Sequence, residues 1–208
     1  MIAVIDYGMG NLRSVTKALE KLGYPVEIVS KPERLSEADG VILPGVGAFG
    51  DAMDNLQSLG FIPALDQYVQ TGKPFLGICL GMQLLFDSSE EMGFHRGLGY
   101  IPGQVVRFNG NFKVPQMGWN QLQLRTSDHL LFDGIDQNGY VYFVHSYHAK
   151  VVDQQHVLAT TDYYGDVTAI VGRDNVIGMQ FHPEKSSTVG LRLLENFAKQ
   201  CQPSDVSG

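Results

Sequence analysis

Apolar positions in this chain first fall into short strand-like segments separated by stretches of helical period. Ile2 to Ile5 is one such segment, followed by Leu12, Val15, Leu19 and Leu22 at helical spacing and by Gly23 as a C-terminal stop. Val26 to Val29 and Gly40 to Leu43 predict the second and third strands, and Phe75 to Ile78 the fourth. Between the last two, Asp51 to Leu59 and Ile62 to Gln70 predict helices. Such alternation implies a parallel sheet covered by helices, with ligands at the carboxyl ends of the strands. Beyond residue 98 the pattern changes. Val105 to Phe108, Gln121 to Leu124, Tyr140 to His145, Val157 to Thr160 and Thr168 to Val171 predict successive strands, many of them antiparallel. Arg173-Asp174-Asn175 predicts a hairpin turn into a buried strand, Val176 to Phe181, and Thr188 to Lys199 a closing amphipathic helix with Leu191, Leu194 and Phe197 on one face. The expected fold class is α/β: one domain with a central mixed, largely parallel sheet flanked by helices, and added antiparallel strands in the C-terminal half.

Size and charge bound the partners. At 208 residues the chain is long enough for one substantial core and short for two, and no linker, charge block or repeat divides it. A net charge of −7 and a pI near 5.2 disfavour a nucleic-acid partner, which needs a basic face. No apolar run approaches a membrane span, and Met1 leads straight into a strand without a signal-like leader. Two cysteines, Cys79 and Cys201, fit a reducing compartment better than a disulfide framework, so a cytoplasmic location is expected. The histidines are scattered and the two cysteines are not at ligand spacing, so no metal site is expected.

One of those cysteines stands where a nucleophile would. Gly77-Ile78-Cys79-Leu80-Gly81-Met82-Gln83 follows an apolar strand and precedes the apolar residues Leu84-Leu85-Phe86, which predicts a strand, a sharp turn with a thiol at its apex, and a helix. A helix N-terminus there would favour thiolate, and its N–H groups, that of Leu80 first, could hold an oxyanion. A thiol nucleophile needs a base and the base an orienting group. His182-Pro183-Glu184 follows the strand ending at Phe181; proline at 183 holds His182 extended, so His182 and Glu184, two apart, can face the same side. His145 and His148 are rival bases without a carboxylate at that spacing, and His95, His129 and His156 lie in polar surroundings suited to the surface.

Gly45-Val46-Gly47-Ala48-Phe49-Gly50 matches the G-x-G-x-x-G pattern of dinucleotide-binding loops. It follows the third strand rather than the first, and the next strand ends at Cys79 rather than at an acidic residue. A loop that brings backbone N–H groups against the thiol is the better account, with a plain tight turn as the alternative.

Gly77 to Gln83 together with Phe181-His182-Pro183-Glu184 resembles the signature of the class I, or triad, glutamine amidotransferases. Ile5 to Leu12, Leu43 to Gly50 and Pro115 to Asn120 resemble one branch of that family, whose members supply ammonia to a separate (β/α)₈-barrel cyclase subunit in histidine biosynthesis. The matches run from Asp6 to Ser187. The resemblance implies an amidotransferase domain over residues 1–201, with 202–208 as a disordered tail, and no cofactor. It implies hydrolysis of glutamine with Cys79 as nucleophile, His182 as acid and base, and Glu184 as its orienting group. Leu80 and Val46 N–H groups would form the oxyanion hole, and Gln83 with backbone at Gly47, Ser146 and Tyr147 would position glutamine. Asn11, Trp119, Tyr142 and Lys185 would lie near the mouth that faces the cyclase. A stand-alone thiol hydrolase, a glutaminase of another pathway and a catalytically idle binding subunit are the alternatives.

Overall fold

A computed structural model describes residues 1–203. The expected tail therefore lies, from Ser204 onward, outside the described residues. The first half runs β1 (Ile2–Ile5), α1 (Leu12–Lys21), β2 (Val26–Val29), β3 (Gly40–Leu43), α2 (Phe49–Ser58), α3 (Phe61–Gln70), β4 (Phe75–Ile78) and a single helical turn, α4 (Leu80–Gln83). There follow β5 (Phe86–Ser89), β6 (His95–Arg96), β7 (Ile101–Arg107), β8 (Gln116–Gln121), β9 (Gln123–Leu124), β10 (Tyr140–His145), β11 (Tyr147–Val151), β12 (Val157–Asp162), β13 (Asp166–Arg173), β14 (Val176–Met179) and α5 (Ser187–Gln200).

The main sheet has the order β2-β1-β3-β4-β14-β13-β12-β9, parallel from β2 to β14 and antiparallel beyond. Four of its parallel strands, β1, β3, β4 and β14, are buried on both faces, which is why they read as apolar runs, while β2 is a partly exposed edge. Along β1, Ala3 and Ile5 pack with Phe49, Leu56, Phe61 and Leu65 of α2 and α3, while Ile2 and Val4 pack with Val15 and Leu19 of α1 and Leu194 and Phe197 of α5. Successive side chains thus feed opposite faces, and each fully buried phenylalanine contributes roughly 2–3 kcal/mol of hydrophobic stabilisation.

Two smaller sheets, β10-β8 and β11-β7-β5-β6, complete the second half. Here the structure departs from the sequence expectation. Gln121 to Leu124 is not one strand, because Gln121 ends β8 beside β10 while Gln123–Leu124 joins the edge of the main sheet at β12. Leu84, Leu85 and Phe86 do not continue a helix. Their carbonyls accept from the N–H groups of Leu98, Tyr100 and Gly99, and all three side chains are fully buried, so a second chain segment takes the acceptors that a longer helix would use. The strands β5, β6, β8 and β11 carry too many polar residues to stand out as apolar runs.

The turn between β4 and α4 depends on glycines at both ends. A Cβ on Gly77 would lie 2.5 Å from the Gly81 carbonyl oxygen, and one on Gly81 would lie 1.8 Å from the carbonyl oxygen of Leu43 on the neighbouring strand. Gly81→Ala is expected to destabilise the protein by about 3 kcal/mol through forced backbone separation, read as a lower urea midpoint with unchanged m-value. An unchanged midpoint would contradict this close approach.

Candidate active site

Register places the two halves of the site. β4 and β14 run parallel with Ile78 opposite Met179, and the Cys79 N–H donates to the Met179 carbonyl at 2.7 Å. Their carboxyl ends therefore deliver Cys79 and, three residues past Met179, His182 to the same edge of the sheet. Cys79 has φ 55° and ψ −112°, in the left-handed half of backbone space that a side-chain-bearing residue enters only under constraint. The glycines on either side supply that constraint, and the result is a nearly buried thiol at the apex of the turn, 7% exposed.

His182 and Glu184 meet, though not by strand alternation. His182 is extended, with φ −96° and ψ 98°, but Pro183–Lys185 forms a short 3-10 turn that swings Glu184 back, so that His182 Nδ1 lies 2.9 Å from Glu184 Oε1. The turn is clamped by Ser186, whose hydroxyl donates to the His182 carbonyl at 2.6 Å and accepts from the Tyr142 N–H at 2.9 Å. Burial alone would drive the His182 pKa down. Hydrogen bonds to Cys79 and Glu184, together with their negative charge, outweigh it and raise the value from 6.5 to about 10.

Cys79, His182, Val46, Gly47, Leu80, Gln83, Ser146 and Tyr147 all line one cavity of about 340 Å³. Its wall also includes Glu91, whose Oε2 accepts from the Phe49 N–H at 3.1 Å; no motif in the sequence marked this carboxylate. A second unmarked residue is Gln180, a fully buried amide in the apolar run before His182, whose Nε2 lies 3.9 Å from the Cys79 sulfur. The sequence did carry a signal for it, since a glutamine inside a buried strand needs polar partners.

Several expectations are corrected. The α4 helix is one turn long, so its dipole is too small to be the main support of a thiolate. The Leu80 N–H is occupied by the Gly45 carbonyl at 3.3 Å, and because the Gly45–Val46 peptide is trans, its own N–H points the opposite way. Leu80 and Val46 donors thus do not converge here. Gln83 is 5% exposed and its Nε2 donates to the Tyr147 carbonyl and to Gln180 Oε1, both at 3.1 Å. The Ser146 carbonyl accepts from the Phe108 N–H, which leaves the N–H groups at 146 and 147 rather than their carbonyls for a ligand.

The rival bases are accounted for. His145 Nδ1 and Nε2 each lie 2.7 Å from an oxygen, the Tyr147 carbonyl and Gln116 Oε1, and burial pulls its pKa down to about 4. His148 stacks on Phe108, with ring centroids 4.6 Å apart, and burial lowers its pKa too. His95, His129 and His156 are half-buried rather than superficial: His95 lies against Gly50, and His129 Nδ1 accepts from the Leu131 N–H. Among the described residues no three His, Cys, Asp or Glu side chains gather as metal ligands. Trp119 is half exposed and tilts against Tyr142 with centroids 5.9 Å apart; Asn11 and Lys185 are exposed, and α1, which follows Asn11, packs on the turn that contains Lys185.

A sequence model for class-I glutamine amidotransferases matches residues 3–201. The chain belongs to that family. An imidazole glycerol phosphate synthase subunit HisH from Desulfitobacterium hafniense is 56% identical over 96% of this chain and 94% of its own length. Its counterpart of the same name from Syntrophotalea carbinolica is 52% identical over 95% of this chain and 98% of its own length. Among solved structures, a glutamine amidotransferase superposes with a TM-score of 0.77 at 22% identity, covering 97% of this chain and 99% of that one. PurLQS from Thermotoga maritima superposes with a TM-score of 0.74 at 21% identity, covering 97% and 98%. These likenesses confirm the expected α/β amidotransferase fold.

The raised His182 pKa makes a pH prediction for this amidotransferase. With a folded value of about 10 against an ordinary 6.5, the imidazolium is fully held below pH 6.5, and its stabilising contacts are lost as pH rises through about 10. The alkaline limb of the glutaminase pH profile is therefore expected near pH 10. Glu184→Gln replaces a charged acceptor by a neutral one and removes one negative charge from beside the imidazolium, so it should move that limb toward neutral and lower kcat by about 10²-fold or more. A limb that stays in place would show that Glu184 does not sustain the proton on His182.

Proposed function

We propose that this chain is the glutaminase subunit of an imidazole glycerol phosphate synthase. It hydrolyses glutamine to glutamate and ammonia and passes the ammonia to a cyclase subunit, which makes imidazole glycerol phosphate and aminoimidazole carboxamide ribotide in histidine biosynthesis. The observation that carries the chemistry is the meeting of Cys79 with the His182–Glu184 pair in a cavity sized for one amino acid. The pathway rests on the HisH relatives, similar over nearly their whole length.

In this reading Cys79 attacks the side-chain carboxamide carbon of glutamine, and the carbonyl electron pair moves to oxygen. His182 gives its proton to the departing nitrogen, and ammonia leaves a γ-glutamyl thioester. Water then gives a proton to the same imidazole as it attacks the thioester, releasing glutamate and restoring the thiolate. Glu184 holds the ring in place throughout. Glu91 faces the cavity as a partner for the α-ammonium of glutamine, while N–H groups at Gly47, Ser146 and Tyr147 suit its carbonyl and carboxylate oxygens. Leu80 and Val46 become an oxyanion hole only when the Gly45–Val46 peptide turns over, since its carbonyl now occupies the Leu80 N–H. The chain acts as one amidotransferase domain over residues 1–201.

Ammonia freed into water would be protonated and lost, so the site must open onto its consumer. Met117, Trp119 and Tyr140 expose large apolar surface on the β10-β8 sheet, and Tyr142 of that sheet binds the His182 N–H through its carbonyl. The partner is a (β/α)₈-barrel cyclase docked over this face, with Asn11, Trp119, Tyr142 and Lys185 at the mouth. This hydrolysis needs no cofactor, nucleic acid or membrane, and no described helix is long and apolar enough to cross one. A cytoplasmic location suits the free thiols.

Glutamate release from glutamine should be weak for the chain alone. It should rise by at least about 10²-fold when the cyclase and its nucleotide ligand are added, because a missing oxyanion donor costs that much, and vanish in Cys79→Ala. Activity that the cyclase leaves unchanged would sink the proposed pathway, and activity surviving Cys79→Ala would sink the proposed nucleophile.

A further inference from the structure

We infer that Gln180 is a further catalytic residue, an amide donor to the Cys79 thiolate, held in that role by Gln83. The inference rests on Cys79 being the nucleophile.

The hydrogen-bond network determines which end of each amide faces which neighbour. The Tyr147 carbonyl can only accept, so the group of Gln83 that lies 3.1 Å from it must be the amide nitrogen. The same nitrogen lies 3.1 Å from the Gln180 side chain, which must therefore present its oxygen to Gln83. That turns the Gln180 NH₂ toward Cys79, with Nε2 3.9 Å from Sγ. Gln180 is fully buried and Gln83 is 5% exposed, so water does not compete for these positions. Gln180 is fixed along the chain as well, its N–H donating to the Ala169 carbonyl at 2.9 Å.

A donor aimed at sulfur stabilises the thiolate more than the thiol, since a hydrogen bond to an ionised acceptor is about twice as strong as one to a neutral acceptor. His182 is an imidazolium whenever the sulfur is thiolate, at rest and again once it has taken a proton from water, so the two donors act on the sulfur together. The Gln180 N–H has no proton to lose. It remains in place when the thioester is hydrolysed and sulfur departs as thiolate, so it assists the second half-reaction as the leaving-group stabiliser. The one-turn α4 helix supplies little of this support, and Gln180 accounts for what supplies it instead. Gln83 in turn is a positioning residue that acts through Gln180.

The test compares wild type with Gln180→Met, which keeps shape but has no donor, and Gln180→Glu, which keeps an oxygen toward Gln83 but puts a carboxylate oxygen at the sulfur. Second-order alkylation of Cys79 by iodoacetamide at pH 7, followed by mass spectrometry of the Cys79 peptide, should slow about 10-fold in Gln180→Met and more in Gln180→Glu. The deficit should close as the pH is raised, because alkaline solution then supplies the thiolate. In steady-state assays of the complex with cyclase and its ligand, kcat should fall by a similar factor with KM for glutamine unchanged. Thermal melting of each variant separates misfolding from loss of the donor. Wild-type alkylation rates in both folded variants would overturn the inference. Glutaminase activity surviving Cys79→Ala would instead overturn the nucleophile assignment, and it is read in a different variant.

Discussion

The pairing of β4 with β14 is the interaction on which the rest of the site depends. These strands come from opposite halves of the chain, and their parallel register puts Ile78 beside Met179. With that register, Cys79 and His182 emerge at one edge, and Gln180 lies across from the thiol. A slip of one residue would send Cys79 to the other face of the sheet, away from His182. Both strands are buried throughout, so the register is specified by the fit of Phe75, Leu76 and Ile78 on one strand and Ile177 and Met179 on the other into the two layers of the core.

Strain is concentrated at the same place. Cys79 occupies a backbone conformation that a residue with a side chain disfavours, at a cost on the order of 1–3 kcal/mol, and the surrounding glycines allow neighbouring backbone to approach closely enough to enforce it. The thiol is thereby presented above the sheet without needing a long helix behind it. The charge it develops is met by side chains of the segment that follows β14: the imidazolium of His182, backed by Glu184, and the amide of Gln180, backed by Gln83. The loop at Gly45 is the unfinished part. Its Gly45 carbonyl sits on the Leu80 N–H, and the Tyr7 hydroxyl holds the preceding Pro44 carbonyl at 2.7 Å, so the resting loop is braced in the form that lacks converging donors. A braced resting loop suits an enzyme that should not spill ammonia before its consumer is ready.

Much of this was legible in the residues. The four buried strands of the parallel half carried their own signal, because burial on both faces removes polar positions, and α5 declared itself by period. Cys79 and His182-Pro183-Glu184 stood out because chemistry-bearing residues sat directly at strand ends. The edge strands β5, β6, β8 and β11 were not legible, since they are short and mix polar with apolar residues. Leu84 to Phe86 read as helix because a buried apolar run does not disclose its period when neighbours elsewhere in the chain take its carbonyls. Gln83 and Gln180 illustrate the deeper limit. Each side chain could be named from the sequence, but what it does follows from a chain of amide contacts that only the folded register assembles.

The central claim is that the strained thiol at residue 79 is the atom that attacks glutamine. It is tested most directly by treating the ligand-activated complex with a γ-diazoketone analogue of glutamine, which alkylates the attacking atom irreversibly, and mapping the adduct by mass spectrometry. The account predicts stoichiometric labelling of Cys79 that parallels loss of activity and is blocked by glutamine, with Cys201 untouched. Inactivation without a Cys79 adduct, or with the label on another residue, would contradict it.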